Sequence, residues 1–359
     1  MKGKSVVITG HTGFKGAWLT KWLKMLGAKV TGISLDPSTV PSHFIVANIS
    51  DEIIDLRIDI RDSKSIERAI VDAQPDFVFH LAAQSLVIKS QKDPLETWSI
   101  NVLGTLHILE SLRKLEKKCA AIIVTSDKCY ENVEWVWGYR ESDTLGGVDP
   151  YSASKAGAEL VFKSHLRSFF PSEKSRVRIA SVRAGNVIGG GDWSPNRIVP
   201  DFIDSWSSGK PFSLRNPNST RPWQHVLEPL SGYLNLALDL VERPELHGES
   251  FNFGPRDIES YTTKQLINEL SLHMGQVTLE TKAQVENEHL ESKILRLNCD
   301  KSLYLSKWHA TMLFHETVEM TADWYKTFYQ NPMGIANTTD TQITRYTQIA
   351  RNKGLQWAQ

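Results

Sequence analysis

Short apolar runs alternate with amphipathic segments along the first half of the chain. The runs lack the strict apolar–polar alternation of a half-exposed strand, so they indicate strands that are covered on both faces. The predicted strands are SVVIT (5–9), KVTGISL (29–35), a short segment near 54–58, DFVFHLAA (76–83), AAIIVTS (120–126) and RVRIASVRA (176–184).

The segments between these runs carry apolar residues at helical spacing. They predict helices at 17–26, 63–73, 97–117 and 151–169, and further helices at 226–242, 261–274 and 314–329. Strands and helices that alternate in this way are typical of a parallel sheet with helices on both faces. The predicted fold class is therefore α/β, a Rossmann-type doubly wound parallel sheet with a smaller C-terminal substrate-binding lobe.

The composition changes after about residue 185, where Gly, Pro, Trp and Asn become frequent, as in GNVIGGGDWSPNRIVP. We expect a Rossmann domain at 1–185, to which 222–253 returns with one helix and one short strand. The substrate-binding lobe then comprises 186–221 and 254–330. Residues 331–359 show no clear period and predict a peripheral tail.

Bulk composition narrows the possible partners. The 359 residues carry 41 Lys plus Arg and 41 Asp plus Glu, so no overall field would recruit nucleic acid or an anionic membrane. The three cysteines are odd in number and widely spaced, which predicts neither a disulfide framework nor a metal site. A strand pattern begins within five residues of the start and no apolar run approaches a membrane span, so we expect a cytoplasmic protein.

GHTGFKG (10–16) joins the first predicted strand to the first helix. Gly10, Gly13 and Gly16 allow a sharp turn in which backbone N–H groups approach a diphosphate at a helix N-terminus. Asp36 ends the second strand, where a carboxylate can bind a ribose 2′-hydroxyl and repel a 2′-phosphate. This pattern predicts a dinucleotide site with NAD favoured over NADP, although Asp36 before Pro37 also suits a simple turn.

Tyr151 has Lys155 four residues on, and both would lie on one face of the predicted helix at 151–169. An ammonium beside a phenol lowers the phenol pKa from about 10 and makes Tyr151 a candidate general base. The spacing alone would also suit a cation–π contact or a surface pair. Ser126 ends the fifth strand, at the sheet edge where open α/β sheets bind ligands, and this placement favours the catalytic interpretation.

Together these motifs resemble an extended short-chain dehydrogenase/reductase: the spaced glycines, FHLAAQ (79–84), Asn101 in NVLGT, Ser126 and Tyr151-x-x-x-Lys155. The resemblance runs from about residue 4 to 330. More narrowly, GHTGFKGAWL, TSDKCYEN, WVWGYRE, GGVDPYSASK, VRAGNVIGGGDW, RPWQHVLEPLSGY and FNFGPRD are similar to the CDP-glucose 4,6-dehydratases.

The resemblance implies a reaction and a set of catalytic residues. Tyr151, assisted by Lys155, removes the sugar 4-hydroxyl proton while the C4 hydride passes to NAD⁺, water leaves from C6, and the hydride returns to C6. Ser126 binds the reacting oxygen and Asp127 protonates the departing hydroxyl. The related dTDP-glucose dehydratases carry a glutamate base where this chain has Lys128, so Lys128 is either the C5 base or a cation that stabilises the enolate.

The resemblance also implies which residues bind NAD and the nucleotide sugar CDP-glucose. The expected cofactor-binding residues are Gly10, Thr12, Gly13, Phe14, Lys15, Gly16, Asp36, Asp59, Ile60, Leu81, Ala82, Ala83, Tyr151 and Lys155. The expected substrate-binding residues are Gln84, Asn186, Arg197, Arg215, Arg221 and Asn252, with Asn186 and Arg221 on the diphosphate and Arg197 and Arg215 nearer the nucleotide.

The family's mode of assembly predicts a homodimer or a dimer of dimers through the helices at 97–117 and 151–169. The family further suggests deoxysugar biosynthesis for surface polysaccharide such as the O-antigen of lipopolysaccharide. Two other classes remain: a sugar-nucleotide 4-epimerase, which needs no acid at C6, and a non-catalytic NAD-binding sensor, in which the tyrosine–lysine pair would decay. His80 is expected to be a hydrogen-bonded core histidine.

Overall fold

A computed structural model describes residues 1–171, 175–214, 216–255, 260–280 and 294–359. Seven parallel strands form the central sheet in the order β11-β6-β5-β4-β1-β2-β3, and the remaining strands form short pairs. The strands are β1 (Ser5–Thr9), β2 (Lys29–Ser34), β3 (Ile54–Arg57), β4 (Phe77–His80), β5 (Cys119–Val124), β6 (Val177–Ala184), β7 (Val187–Ile188), β8 (Phe212–Ser213), β9 (Thr220–Arg221), β10 (Gln224–His225), β11 (Ser250–Phe253), β12 (Tyr261–Thr262) and β13 (Leu279–Glu280).

Helices cover both faces of this sheet. They are α1 (Phe14–Met25), α2 (His43–Val46), α3 (Ser63–Ala73), α4 (Val87–Lys92), α5 (Pro94–Trp98), α6 (Gly104–Leu112), α7 (Pro150–Phe169), α8 (Ile198–Ser208), α9 (Leu227–Glu242), α10 (Thr263–Met274), α11 (Asp300–Ser306), α12 (Phe314–Gln330) and α13 (Ile335–Asn352). Among the described residues, no helix is both long enough and apolar enough to span a bilayer.

The alternation of side chains along each strand builds two apolar layers. Val6 and Ile8 of β1 pack in the layer that contains α1, α9 and α12, whereas Val7 packs in the layer of α3, α6 and α7. Both faces are buried, which explains why the strands read as continuous apolar runs. The strand order reverses direction beside β1, and this confirms the predicted doubly wound sheet. The carboxyl ends of β1, β4 and β5 therefore border one crevice.

The predicted helix at 97–117 is interrupted. Its first part is α5, residues Ser99–Leu103 form a π-helical turn, and α6 ends at Leu112. Asn101 in the π turn is buried, and its amide bonds both backbone groups of Gln84 and the Ser154 hydroxyl. The wider turn thus places a polar anchor that a regular helix would aim elsewhere.

The structure corrects the expectation of a peripheral tail at 331–359. Helix α13 buries Ile335, Ile343 and Tyr346, and the Tyr346 hydroxyl donates a 2.8 Å hydrogen bond to Glu228 in α9. The helical period was hidden because other buried positions of α13 are polar, among them Thr339. This segment is an integral part of the layer that covers the sheet.

Candidate active site

The turn between β1 and α1 has room only for glycine at two positions. Gly10 has φ of +79°, and a Cβ there would lie 2.7 Å from the Ala82 backbone nitrogen. A Cβ on Gly16 would lie 2.1 Å from the Gly10 carbonyl oxygen. The helix can therefore begin directly against the sheet edge, and no side chain among the described residues caps its N-terminus at Gly13. The arrangement fits a diphosphate bound to backbone N–H groups.

Several of the residues expected to bind the cofactor lie around this turn. Thr12 donates to the Leu35 carbonyl oxygen at 3.0 Å, which ties the turn to the end of β2. Asp36 follows β2, its side chain is 89% exposed, and it pairs with Arg57 at 3.3 Å. Phe14 is half-buried near Gly189.

Farther along the expected cofactor path, Asp59 pairs with Arg61 and Ile60 is buried against Gly104. Leu81, Ala82 and Ala83 continue from β4 beside the glycine turn. His80 ends β4 as a core histidine, bonded to Thr9 at 2.7 Å and to Thr105 at 3.1 Å.

A tight turn after β5 presents the central polar groups. The Ser126 hydroxyl accepts from the Lys128 backbone N–H at 3.2 Å and donates to Asp127 Oδ1 at 3.0 Å. Asp127 is buried, and burial raises its pKa above the ordinary range despite Lys128, Ser126, Lys15 and Arg221, which favour the carboxylate. The turn thus holds a carboxyl group that retains a proton more readily than a surface aspartate.

Tyr151 and Lys155 lie on the first turns of α7, next to this acid. Burial raises the Tyr151 pKa to about 12, while a hydrogen bond with Ser126 and the charge of Arg197 act in the opposite direction. Burial lowers the Lys155 pKa to about 8, and the ammonium lies 3.4 Å from the Val124 carbonyl oxygen. The sequence-based expectation of a lowered tyrosine pKa is wrong for the ligand-free chain, because loss of water around the phenol outweighs its neighbours.

Two cations act on this centre from separate elements. Burial lowers the Lys15 pKa to about 8, and Asp127 is the main group that opposes this change. Arg197 binds Asp192 at 3.0 Å and Ser85 at 3.1 Å, and its charge acts on Tyr151. The charge of Lys15 thus acts on Asp127 and that of Arg197 on Tyr151, although the sequence suggested roles for these cations at the cofactor and the nucleotide.

The remaining expected substrate residues divide into two groups. Asn186 and Arg221 are half-buried beside the site, and the charge of Arg221 acts on Asp127. Gln84 and Asn252 are buried and bonded within the protein: Gln84 bonds Leu86 and Thr97, and Asn252 bonds Tyr130, Tyr139 and Asn298. The structure does not bring these two amides to the polar centre, because internal partners occupy them. Arg215 lies outside the described residues.

Sequence reasoning missed Tyr233 of α9. Its ring is fully buried, and its hydroxyl has no hydrogen-bond partner within the described part of the chain. Asp127 and Tyr151 both act on its pKa, which burial raises above the ordinary range. The sequence gives no signal for Tyr233, because the tyrosine falls among the positions by which α9 packs in the apolar core.

Comparison with known proteins identifies the family of the chain. The family model described as GDP-mannose 4,6 dehydratase matches residues 7–321. A CDP-glucose 4,6-dehydratase of Salmonella typhimurium is 44% identical over 90% of this chain and 91% of its own length.

Solved structures share the fold at lower identity. The UDP-glucose 4-epimerase of Thermus thermophilus in complex with NAD is 23% identical and superimposes with a TM-score of 0.76, over 89% of this chain and 98% of its own. The Thermotoga maritima UDP-glucose 4-epimerase with UDP-glucose has a TM-score of 0.76 at 21% identity, over 90% of this chain and 99% of its own. From the matched motifs, the fold and the length of the family match, the chain belongs to the GDP-mannose 4,6 dehydratase family of extended short-chain dehydrogenases/reductases.

Proposed function

We propose that the protein is an NAD-dependent CDP-glucose 4,6-dehydratase, which converts CDP-D-glucose to CDP-4-keto-6-deoxy-D-glucose and water. This proposal depends mainly on one observation: Asp127 is buried in the Ser126–Lys128 turn, beside Tyr151. The 44% identity to a dehydratase of that specificity, over nearly the full length of both chains, supports the choice of substrate.

The glycine turn fits NAD. Gly10 and Gly16 let the turn close tightly where a Cβ would collide with the backbone, and Asp36 stands at the end of β2 for a ribose hydroxyl. When bound, NAD supplies reversible oxidation and reduction of the sugar carbons.

Tyr151 is proposed as the base for the sugar 4-hydroxyl, with Ser126 bonded between the phenol and the acid. Burial holds the phenol protonated, so loss of its proton depends on the Ser126 bond and on the positive charge of Arg197. Lys155 adds a second cation on the same face of α7. In the proposed mechanism these groups favour the phenolate and oppose the effect of burial on the phenol.

Asp127 is proposed as the acid that protonates the C6 hydroxyl as it leaves. A general acid works best when its pKa lies near the working pH, and burial moves Asp127 in that direction. Lys128 is proposed to act at C5, either as the base or as a cation beside the enolate. Its backbone bond to Ser126 fixes the start of its side chain at this centre.

The competing function is sugar-nucleotide 4-epimerisation, the activity of the two UDP-glucose 4-epimerases of similar fold. An epimerase shares the glycine turn, tyrosine and lysine but needs no acid at C6, because its reaction does not expel the C6 hydroxyl. The buried acid beside Tyr151 therefore favours dehydration.

The deciding experiment uses CDP-glucose deuterated at C4 of the glucose. Recovery of the deuterium at C6, in a product that has lost one water, would support the proposal. Label retained at C4 in an epimerised sugar nucleotide would exclude it. Tyr151→Phe is the matched control, because it removes only the phenolic hydroxyl and should abolish either reaction.

We further propose that 186–221 and 254–330 form the lobe that binds the nucleotide sugar, with Asn186 and Arg221 on its diphosphate. The proposal extends to a cytoplasmic homodimer that supplies deoxysugars for surface polysaccharide such as O-antigen. Sedimentation of the purified chain tests the dimer, since a monomer at micromolar concentration would contradict it.

A further inference from the structure

A fully buried ion pair lies behind the active site. Arg183 in β6 donates from Nε and Nη2 to the two carboxylate oxygens of Glu159 in α7, each at 2.8 Å, and both side chains are 0% exposed. Two hydroxyls also donate hydrogen bonds to the Glu159 carboxylate: Thr125 to Oε1 at 2.5 Å and Ser181 to Oε2 at 3.0 Å. A buried ion pair is weak evidence for added stability, because desolvation offsets much of the attraction. Its geometry indicates a second purpose.

The pair reaches both ends of the catalytic turn. Thr125 immediately precedes Ser126, and its hydroxyl is bonded to Glu159. Tyr130 follows the turn, and its hydroxyl accepts from Arg183 Nη1 at 2.6 Å and donates to Asn252 at 2.7 Å. The turn between them is therefore held at each end by one of the two partners of the same ion pair.

Tyr151 and Lys155, the other proposed catalytic residues, lie on the same helix as Glu159 of the ion pair. Glu159 lies four residues after Lys155 and eight after Tyr151, so the three side chains follow one face of α7. A displacement of the carboxylate would move the base and the acid relative to each other. Since Tyr151 and Asp127 come from different elements, their separation depends on whatever joins those elements.

We propose that Glu159 and Arg183 are positioning residues that fix the Ser126–Lys128 turn against Tyr151 and Lys155. The inference rests on the proposed function only in so far as turnover is used to detect it. Substitution of Glu159 or Arg183 itself is a poor test, because removal of either side chain leaves the other charge buried without its partner and destabilises the fold. Substitution of Thr125 or Tyr130, whose hydroxyls connect the ion pair to the turn, removes hydrogen bonds but keeps both charged partners.

Thr125→Val removes one hydroxyl bond to Glu159 at nearly constant volume, and Tyr130→Phe removes the bond at the other end of the turn. We expect each to lower kcat about 10- to 100-fold, because displacement of reacting groups by about 1 Å can cost about 100-fold. KM should change by less than about threefold, since ground-state binding is retained. Thr125→Ser keeps the hydroxyl and should restore kcat.

Ser181→Ala is the matched control, because it removes a hydroxyl bond to the same carboxylate from a residue of β6, outside the chain segment that forms the turn. We expect kcat to stay within about threefold of the parent. Amide hydrogen exchange gives a readout that needs no substrate: peptides spanning 124–131 should exchange faster in Thr125→Val and Tyr130→Phe, but not in Ser181→Ala.

Equal losses of kcat in Thr125→Val and Ser181→Ala would overturn the proposal, because the effect would then follow stability rather than position. Unchanged kcat and unchanged exchange in both Thr125→Val and Tyr130→Phe would also overturn it. If the parent chain does not dehydrate CDP-glucose but the exchange pattern appears as expected, the proposed function fails while the positioning role is supported.

Discussion

Glu228 provides a test of how the C-terminal helix is held. It is fully buried in α9, where its carboxylate accepts from the backbone N–H groups of Thr311 at 2.9 Å and Met312 at 2.7 Å. It also accepts from the Tyr346 hydroxyl of α13 at 2.8 Å. Burial raises its pKa from 4.5 to about 7, although these hydrogen bonds and Lys353 favour the charged form.

The sign and size of the effect follow from the two pKa values. The unfolded chain releases this proton near pH 4.5, whereas the folded protein holds it until about pH 7. The stability that comes from holding the proton is therefore fully present below pH 4.5 and is lost as the pH rises through about 7. At about 1.4 kcal/mol per pH unit, the loss amounts to about 3 kcal/mol of unfolding free energy.

Glu228→Gln replaces the carboxyl with a neutral amide of the same shape. Its NH₂ group faces a backbone donor, so we expect a loss of about 1–3 kcal/mol at acid pH. The variant has no ionisable group at this position, so the free energy of unfolding of the parent should fall toward that of the variant as the pH rises. Urea unfolding, followed by tryptophan fluorescence from about pH 5 to about pH 8, measures both curves. Glu242→Gln, at the exposed end of the same helix, is the control. Parallel curves for the parent and Glu228→Gln would refute the reasoning.

Three further predictions concern the catalytic centre. Asp127→Asn should slow loss of water by about 10²- to 10⁴-fold, the usual contribution of a general acid, while C5 proton exchange with deuterated water continues; loss of both would contradict its role as acid. Lys128→Met should leave C4 oxidation detectable but slow elimination, and full product formation by mass spectrometry would remove Lys128 from the scheme. Arg197→Met removes a cation that lowers the Tyr151 pKa, so the acid limb of the kcat–pH profile should move to higher pH; an unmoved limb would show that Arg197 does not act on the base.

Much of the fold was accessible from the sequence because each element carries its own period. Strand β1 and helix α3 occupy their predicted ranges, since their apolar positions and flanking turns are local signals. The π turn at Ser99–Leu103 was not predictable in this way, because Asn101 is placed by partners distant in the sequence. Helix α13 was missed because it buries polar side chains through tertiary hydrogen bonds.

For the site, the sequence identified groups but not their surroundings. The motif around Tyr151 indicated a base, yet the sign of its pKa change depends on burial and on Arg197, which comes from a separate loop. Gln84 and Asn252 lie in the expected motifs, but internal hydrogen bonds occupy their amides. Whether such an amide bonds to groups within the protein or is available to a ligand depends on the folded geometry, which the motif does not specify.

In the proposed mechanism, Asp127 and Tyr151 perform opposite tasks within one buried space, the acid by holding a proton and the base by losing one. The cations are divided between them: Arg197 favours the phenolate of Tyr151, whereas Lys15 and Arg221 favour the carboxylate of Asp127. The substrate diphosphate, bound near Arg221 as proposed, would reduce the effect of that cation on Asp127 and raise the Asp127 pKa further. We therefore expect substrate binding to favour the protonated acid, so that the proton is available at the step in which the C6 hydroxyl leaves.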